Sequence, residues 1–304
     1  MNYKLALSGS GVNYFNHVGA YKAIHENFGP PSTVAGTSGG ALIASLIAGG
    51  YSDPEELIEL ALEFTPQAMD YFRFTNLVKA PWMLYRKFGM VSSTQNEKAL
   101  AGLIPKTMAQ AYQKTGIKCH IVTADVERQK IKVFSSDSFL SERISFPKIA
   151  SASMAFPFIF TCPEIEYGMK KFKLTDGGIV NGFAIDLLGK PEGEDFSIGL
   201  HIGPLEPVQN EVESFKELPV AIVETMMNTI NTLNRKSIVK EPATEEKALE
   251  ALQKEKLFIY ELSPSFKLMD LSVGREQAKQ AIQKSYDQIT KRIQITRMLT
   301  DGNH

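Results

Sequence analysis

The sequence predicts an α/β fold, and three observations carry that prediction. Short apolar runs that suit strands alternate along the chain with longer segments of helical periodicity. A glycine-rich turn, Ser8-Gly9-Ser10-Gly11, joins the first strand to the first helix. A glycine-flanked serine, Gly36-Thr37-Ser38-Gly39-Gly40, joins the second strand to the second helix. The 304 residues are 43% hydrophobic, enough for a large core, and no internal repeat or composition break marks a second domain.

Tyr3 to Leu7 is the first strand. Val18, Tyr21, Ile24 and Phe28 then fall at helical spacing in a helix from about Phe15 to Asn27, which Gly29-Pro30-Pro31 ends. Strand, glycine loop and helix in this order also open dinucleotide-binding folds. Here Tyr14 occupies the third glycine position and no acid ends the next strand, which argues against that use. The loop suits either a plain turn or a rack of backbone N–H donors for an oxyanion, supplied by Ser10, Gly11 and Val12.

The apolar stretch from Thr33, the serine at 38 and a small-residue helix through about Ile47 have the layout of a nucleophile elbow. A tight strand-to-helix turn pushes the serine hydroxyl into the open, and Gly36 and Gly40 remove side chains that would collide there. The helix N-terminus, from Gly39, directs free N–H groups and a positive dipole end at an oxyanion beside Ser38. Ser38 also fits an ordinary helix N-cap.

Gly49-Gly50 stop that helix, and Asp53-Pro54-Glu55-Glu56 starts the next with Asp53 as cap. From Met69 to Met90 the texture changes: aromatic and apolar residues, Trp82, Tyr85 and Phe88 among them, are mixed with four cations against one acid. Such a stretch suits a lipid interface, or core-packing helices with solvated basic faces. Thr94 to Lys114 reads as helical. Ile117–Asp125 and Lys130–Phe134 alternate around a polar turn as a hairpin, with Asp125 at the bend. Ile149–Ala155 is a small-residue helix before Pro157, and Phe172–Thr175 is a strand entering Asp176-Gly177-Gly178. That aspartate is either a functional carboxylate beside bare backbone or a turn residue. Phe196–Ile202 and Leu257–Leu262 are further strands, Glu211–Val239 is largely helical, Glu241–Lys256 is a charged surface connection, and Gly274–Met298 is a closing amphipathic helix.

A net charge of −1 gives no basic field for nucleic acid. Cys119 and Cys162 lack metal-type spacing and suit buried free thiols in a reducing compartment. No Sec-type leader follows Met1, so the expected location is the cytoplasm, or outside after export without such a signal, with peripheral contact at membranes. Among five histidines only His201 follows the serine–acid–histidine order of α/β-hydrolases, and two strands before Ser38 are too few for that fold.

Taken together, Leu7-Ser8-Gly9-Ser10-Gly11, His17-Val18-Gly19, Gly36-Thr37-Ser38-Gly39-Gly40-Ala41, Ala150-Ser151-Ala152 leading to Pro157, and Asp176-Gly177-Gly178 resemble a patatin-like phospholipase domain, in order from about residue 4 to 205. The resemblance implies a three-layer α/β/α fold around a mainly parallel sheet, in one domain over 1–304 with a mainly helical C-terminal extension over about 206–304 packing on the core. It implies a Ser–Asp dyad without histidine, with Ser38 as nucleophile and Asp176 as base. The oxyanion hole then maps onto Gly9, Ser10, Gly11 and Val12, joined by Gly39. Acyl esters of phospholipids or related lipids would be the substrates, with no metal or other cofactor; Trp82, Tyr85 and Phe88 are the expected interface residues. The chain departs from the family's G-G-G-x-R-G: the arginine is Asn13 and the last glycine Tyr14, so no cation stands there. Asp125 is the reserve acid. A non-catalytic lipid- or acyl-binding module and a carboxylesterase for short soluble esters are the competing readings.

Overall fold

The computed structural model of the chain describes residues 2–69, 82–87, 89–203, 218–238, 256–270 and 272–301. Its first half follows the expected alternation: β1 (Tyr3–Leu7), α1 (Tyr14–Phe28), β2 (Thr33–Thr37), α2 (Gly39–Gly49) and α3 (Pro54–Glu63). A short 3-10 turn, Gly11–Asn13, precedes α1. Asp53 caps α3, its carboxylate accepting from the N–H groups of Glu55 and Glu56 at 3.0 and 3.1 Å.

Further strands are β3 (Gly89–Val91), β4 (Lys118–Asp125), β5 (Lys130–Ser135), β6 (Phe158–Phe160), β7 (Glu164–Tyr167), β8 (Lys170–Asp176), β9 (Phe196–Ile202) and β10 (Leu257–Leu262). The main sheet runs β10-β9-β1-β2-β4-β8-β7, with β5 on the free side of β4. Its five strands from β10 to β4 are parallel, while β5, β8 and β7 join antiparallel. β3 and β6 form a separate parallel ribbon.

The central strands are short and buried on both sides, as parallel strands under crossovers are. Tyr3, Leu5, Leu7 and Val34 face a core shared with α1, α2 and α3. Ala6, Ala35 and Val122 face the other way, under Phe183, Ala184 and Ile185. All eleven residues of α2 are buried, which explains its small, uncharged sequence. Two helices replace the single one read from Thr94 to Lys114: Thr94–Ala101 and Met108–Thr115, parted at Gly102 and restarted by Thr107, whose hydroxyl accepts from Gln110 N–H.

The edge of β4 brings distant parts of the chain together. β2 pairs with Lys118–Val122, β8 with Thr123–Asp125, and β5 with His120–Asp125. Because β5 overlaps both of the others, β2 and β8 must share the opposite edge. They run toward each other there, Thr37 ending beside Val122 and Asp176 beside Thr123. The two strand ends meet head to head, and the residues just past them are neighbours.

Candidate active site

Ser38 sits in that meeting point with φ 53° and ψ −122°, a left-handed backbone rare for any residue but glycine. Such a conformation costs about 1–3 kcal/mol and persists only where its surroundings impose it. Gly40 allows the approach, since a Cβ there would run into the carbonyls of Leu7 and Ser8. The N–H of Ser38 donates to Ser153 Oγ at 2.9 Å, and that hydroxyl donates to the Val122 carbonyl at 2.6 Å. Thr37 Oγ1 donates to the Asn181 carbonyl at 3.0 Å. Ser153, at the end of the helix Phe146–Ser153, was not singled out by the sequence; Ala150-Ser151-Ala152 marks the helix but not the residue that reaches the elbow.

The Ser38 hydroxyl does not cap α2. It donates to Asp176 Oδ2 at 2.6 Å, with no imidazole between them. Asp176 Oδ1 accepts from Gly178 N–H at 2.7 Å, and its own N–H donates to the Ala155 carbonyl at 3.0 Å. The carboxylate is fully buried. Burial pushes its pKa up to about 7, against the opposing pull of the hydrogen bonds from Ser38 and Gly178. An acid at this value is half ionised near neutrality and suits proton transfer far better than an exposed aspartate.

Asp125, His201 and His17 have other surroundings. Asp125 ends β4 and binds Arg128, accepting from its N–H at 3.2 Å and from Nη1 at 2.8 Å. Burial works against ionisation of Asp125, but the Arg128 contacts outweigh it and hold the carboxyl below its ordinary range. His201 lies on β9 with its ring edge against Phe183, the centroids 5.2 Å apart. His17 is buried against the Ser8 carbonyl at 2.9 Å, and burial lowers its pKa to about 4, so it is neutral.

The backbone donors proposed from sequence divide into two sets. Gly9 N–H donates to the Gly182 carbonyl at 2.7 Å and Val12 N–H to the Leu268 carbonyl at 3.0 Å, so both are engaged. Among the described residues no acceptor takes the N–H of Ser10, Gly11 or Gly39. These three are packed together: a Cβ on Gly39 would strike Ser10 Oγ and the Gly11 carbonyl. Beside them lies a largely apolar pocket whose walls include Gly11, Gly39, Phe64, Met154, Phe160 and Met269.

Asn13 is nearly fully buried, and its amide is a clamp. Oδ1 accepts from the N–H groups of Ser265 and Phe266, both at 2.8 Å, and Nδ2 donates to the Phe266 carbonyl at 3.0 Å. With the Val12–Leu268 bond, this seats residues 263–269 on the glycine loop. Trp82 and Tyr85 are 59% and 82% exposed, in the helical residues 82–87. Phe88 lies outside the described residues, as do 70–81. Among the described residues no helix is long and apolar enough to cross a membrane, and no group of three His, Cys, Asp or Glu is arranged to hold a metal ion. Cys119 and Cys162 are free thiols.

Comparison with known proteins agrees with this geometry at the level of family and fold. The family model described as Patatin-like phospholipase matches residues 5–188. An uncharacterized protein of Bacillus subtilis (strain 168), YqhO, is 27% identical over 241 residues, covering 72% of this chain and 78% of that protein. An uncharacterized protein of Acanthamoeba polyphaga mimivirus, R571, is 31% identical over 164 residues, covering 51% of this chain and 52% of that protein. The crystal structure of VipD from Legionella pneumophila superposes with a TM-score of 0.52 at 15% identity, covering 95% of this chain and 66% of that one.

Proposed function

Because the chain belongs to the patatin-like phospholipase family, we propose that it is a serine acyl hydrolase acting on phospholipids or related acyl lipids through Ser38 and Asp176. The observation that carries this reading is the 2.6 Å hydrogen bond from the hydroxyl of Ser38, on a strained elbow, to the fully buried carboxylate of Asp176. Asp176 takes the proton as Ser38 Oγ attacks the acyl carbonyl, and the oxyanion collects on the open N–H groups of Ser10, Gly11 and Gly39. The proton then passes to the departing alcohol. Water repeats the sequence on the acyl-enzyme, with Asp176 again as base, and frees the fatty acid. The acyl chain runs into the apolar pocket beside Gly39 and Met154. Exposed aromatic and basic side chains at 82–87 bring the chain to a lipid surface as a peripheral protein.

The departure at Asn13 leaves this scheme intact, because the asparagine serves as a scaffold for residues 263–269 and the open donors are backbone groups. The test is a fluorophosphonate probe together with lipid mass spectrometry of mixed bilayers. The wild-type chain is expected to label covalently at Ser38 and release fatty acid. Ser38→Ala should do neither, and Asp176→Asn should lose on the order of 10²–10⁴-fold in turnover. Substantial turnover in either folded variant rejects the dyad. A wild-type chain that binds lipid without labelling is a binding module, and one that cleaves only short chains in a chain-length series is a soluble-ester esterase.

A further inference from the structure

The surface over the dyad belongs to a segment that the proposed chemistry does not use. In the helix Leu218–Ile238, Val223 and Met227 are buried, and they pack with Val91, Ala155, Phe156, Ile159 and Phe160. Met227 reaches the site itself: a Cβ on Gly178 would collide with its terminal methyl, and one on Gly9 would touch the same methyl at 3.9 Å. Gly178 holds Asp176 Oδ1, and Gly9 opens the glycine loop. Met227 therefore stands between the dyad's backbone supports and the outside, which fits a Ser38 only 5% exposed.

The outward side of the same helix carries an apolar stripe, with Thr225, Asn228 and Thr229 also exposed. Ile222, Met226 and Leu233 are 50%, 47% and 60% exposed, and their i, i+4, i+11 spacing puts them in one stripe. Glu224 is the only charged residue from Leu218 to Asn234, and it is half-buried. The outward hydroxyls are already satisfied without water: Thr225 donates to the Ala221 carbonyl and Thr229 to the Thr225 carbonyl, each at 2.8 Å. A helix face with no charge and with its hydroxyls bonded back to its own turns loses little when water leaves it.

Through Val223 and Met227 the helix shares a cluster with the β3–β6 ribbon, which carries other exposed apolar groups at or beside its strands. Val91, in one cluster with Val223 and Met227, ends the β3 strand that follows residues 82–87, where Trp82, Leu84 and Tyr85 are exposed beside Arg86 and Lys87 with no acid. Phe158 pairs across from Gly89, is 46% exposed and has φ 67°, a strained backbone for an aromatic residue. Exposed apolar groups with the cations Arg86 and Lys87 beside them, and no acid among residues 82–87, match a layer of acyl chains under phosphates.

We propose that the outward stripe of the Leu218–Ile238 helix is the face on which this chain lies on a phospholipid bilayer, and that bilayer contact draws Met227 off the Ser38–Asp176 pair. The second half rests on the acyl-hydrolase reading, and the first half does not. The surface is tested in Ser38→Ala protein, so that turnover plays no part, by flotation with phosphatidylcholine–phosphatidylglycerol vesicles. Adding Ile222→Asp, Met226→Asp and Leu233→Asp together should weaken flotation by at least about tenfold, since three side chains lose their place in the acyl layer. Unchanged flotation overturns the proposal. So does a chain that runs as a dimer in gel filtration and becomes monomeric in the triple variant with flotation intact, because the face is then a protein interface.

The gate is tested in the active chain with a short soluble ester and with vesicle lipid. The triple variant should keep the soluble-ester rate and lose vesicle hydrolysis. Met227→Ala should raise the soluble-ester rate without vesicles, and no gain there removes the gate. If the wild-type chain neither labels nor cleaves any ester, the hydrolase reading fails while the flotation result still decides the surface.

Discussion

A carboxyl whose pKa is raised to about 7 by burial ties both rate and stability to pH at one residue, Asp176. The proposed reaction uses the ionised form as base, so kcat/KM on a soluble ester should climb with pH through about 7 and level off above it. A pH–rate profile checks this, and a profile already flat from about pH 5 would remove Asp176 as the base. The stability effect has the opposite sign. An unfolded aspartate ionises near ~3.9, so between that value and about 7 the folded chain holds the extra proton and loses stability as pH rises. Asp176→Asn escapes that burden. Its melting temperature should exceed the wild type's above pH ~8, by an amount reflecting a few kcal/mol, and the gap should close toward pH ~4. At Asn13 the effect is structural. Asn13→Ala removes three hydrogen bonds from partly buried backbone at Ser265 and Phe266, an expected loss of about 1–3 kcal/mol in denaturant titration, and Asn13→Arg should not recover it. Ser38 was legible as a candidate from the strand and glycines around it, whereas the strand end and two glycines at Asp176 fitted a turn equally, and only the family resemblance paired the two. That Gly9 and Val12 donate to Gly182 and Leu268 was not legible, because those partners are fixed only by the fold.

Among the elements, the two strands flanking the site work as opposed supports on one edge of β4. The elbow ends β2 beside Val122, and Asp176 ends β8 beside Thr123. Nothing in the local pattern of either strand states this pairing. The sequence showed β4 and β5 as a hairpin through their alternation, but three-residue strands such as β3 and β6 carry too few positions for a period to register. Ser153 fastens the arrangement from a third element, bonding the Ser38 N–H and the Val122 carbonyl together, from 115 residues away in the chain in the first case. Ser153→Ala strands both groups in a buried site. It should lower stability by about 1–3 kcal/mol and reduce turnover through the position of Ser38, leaving the pH midpoint of the rate near the wild-type value. A shifted midpoint would mean that Ser153 acts on Asp176 as well.

At the scale of the whole molecule, the family match ends at residue 188, yet the sheet does not. β9 pairs with all five residues of β1, and β10 pairs in turn with β9, so the residues beyond the match supply two parallel strands of the sheet, β10 from the C-terminal third. The sequence placed both strands, β9 within the core to about residue 205 and β10 within an extension over about 206–304 that it read as mainly helical. The helix Arg275–Asp301 lies on α1 at the distance of backbone contact: a Cβ on Gly19 would meet the Ile282 carbonyl, and Tyr286 Oη donates to Glu26 at 2.7 Å. Between β10 and that helix run residues 263–269, which hold the amides of Asn13 and Asn16 and the N–H of Val12. Ending the chain at residue 205 would bare the edge of β9, uncover α1 and leave those polar groups without partners. Among the described residues eight larger apolar side chains buried beyond that point, Val223, Met227, Tyr260, Leu262, Val273, Ile282, Ile289 and Ile293, would go with it. At about 1.5–3 kcal/mol each, their burial is comparable with a net stability of about 5–15 kcal/mol. A 1–205 fragment should therefore show no cooperative thermal transition by circular dichroism and no labelling by a fluorophosphonate. A cooperatively melting, labelled fragment would instead make the C-terminal third an appendage, and the glycine loop would need no support from it.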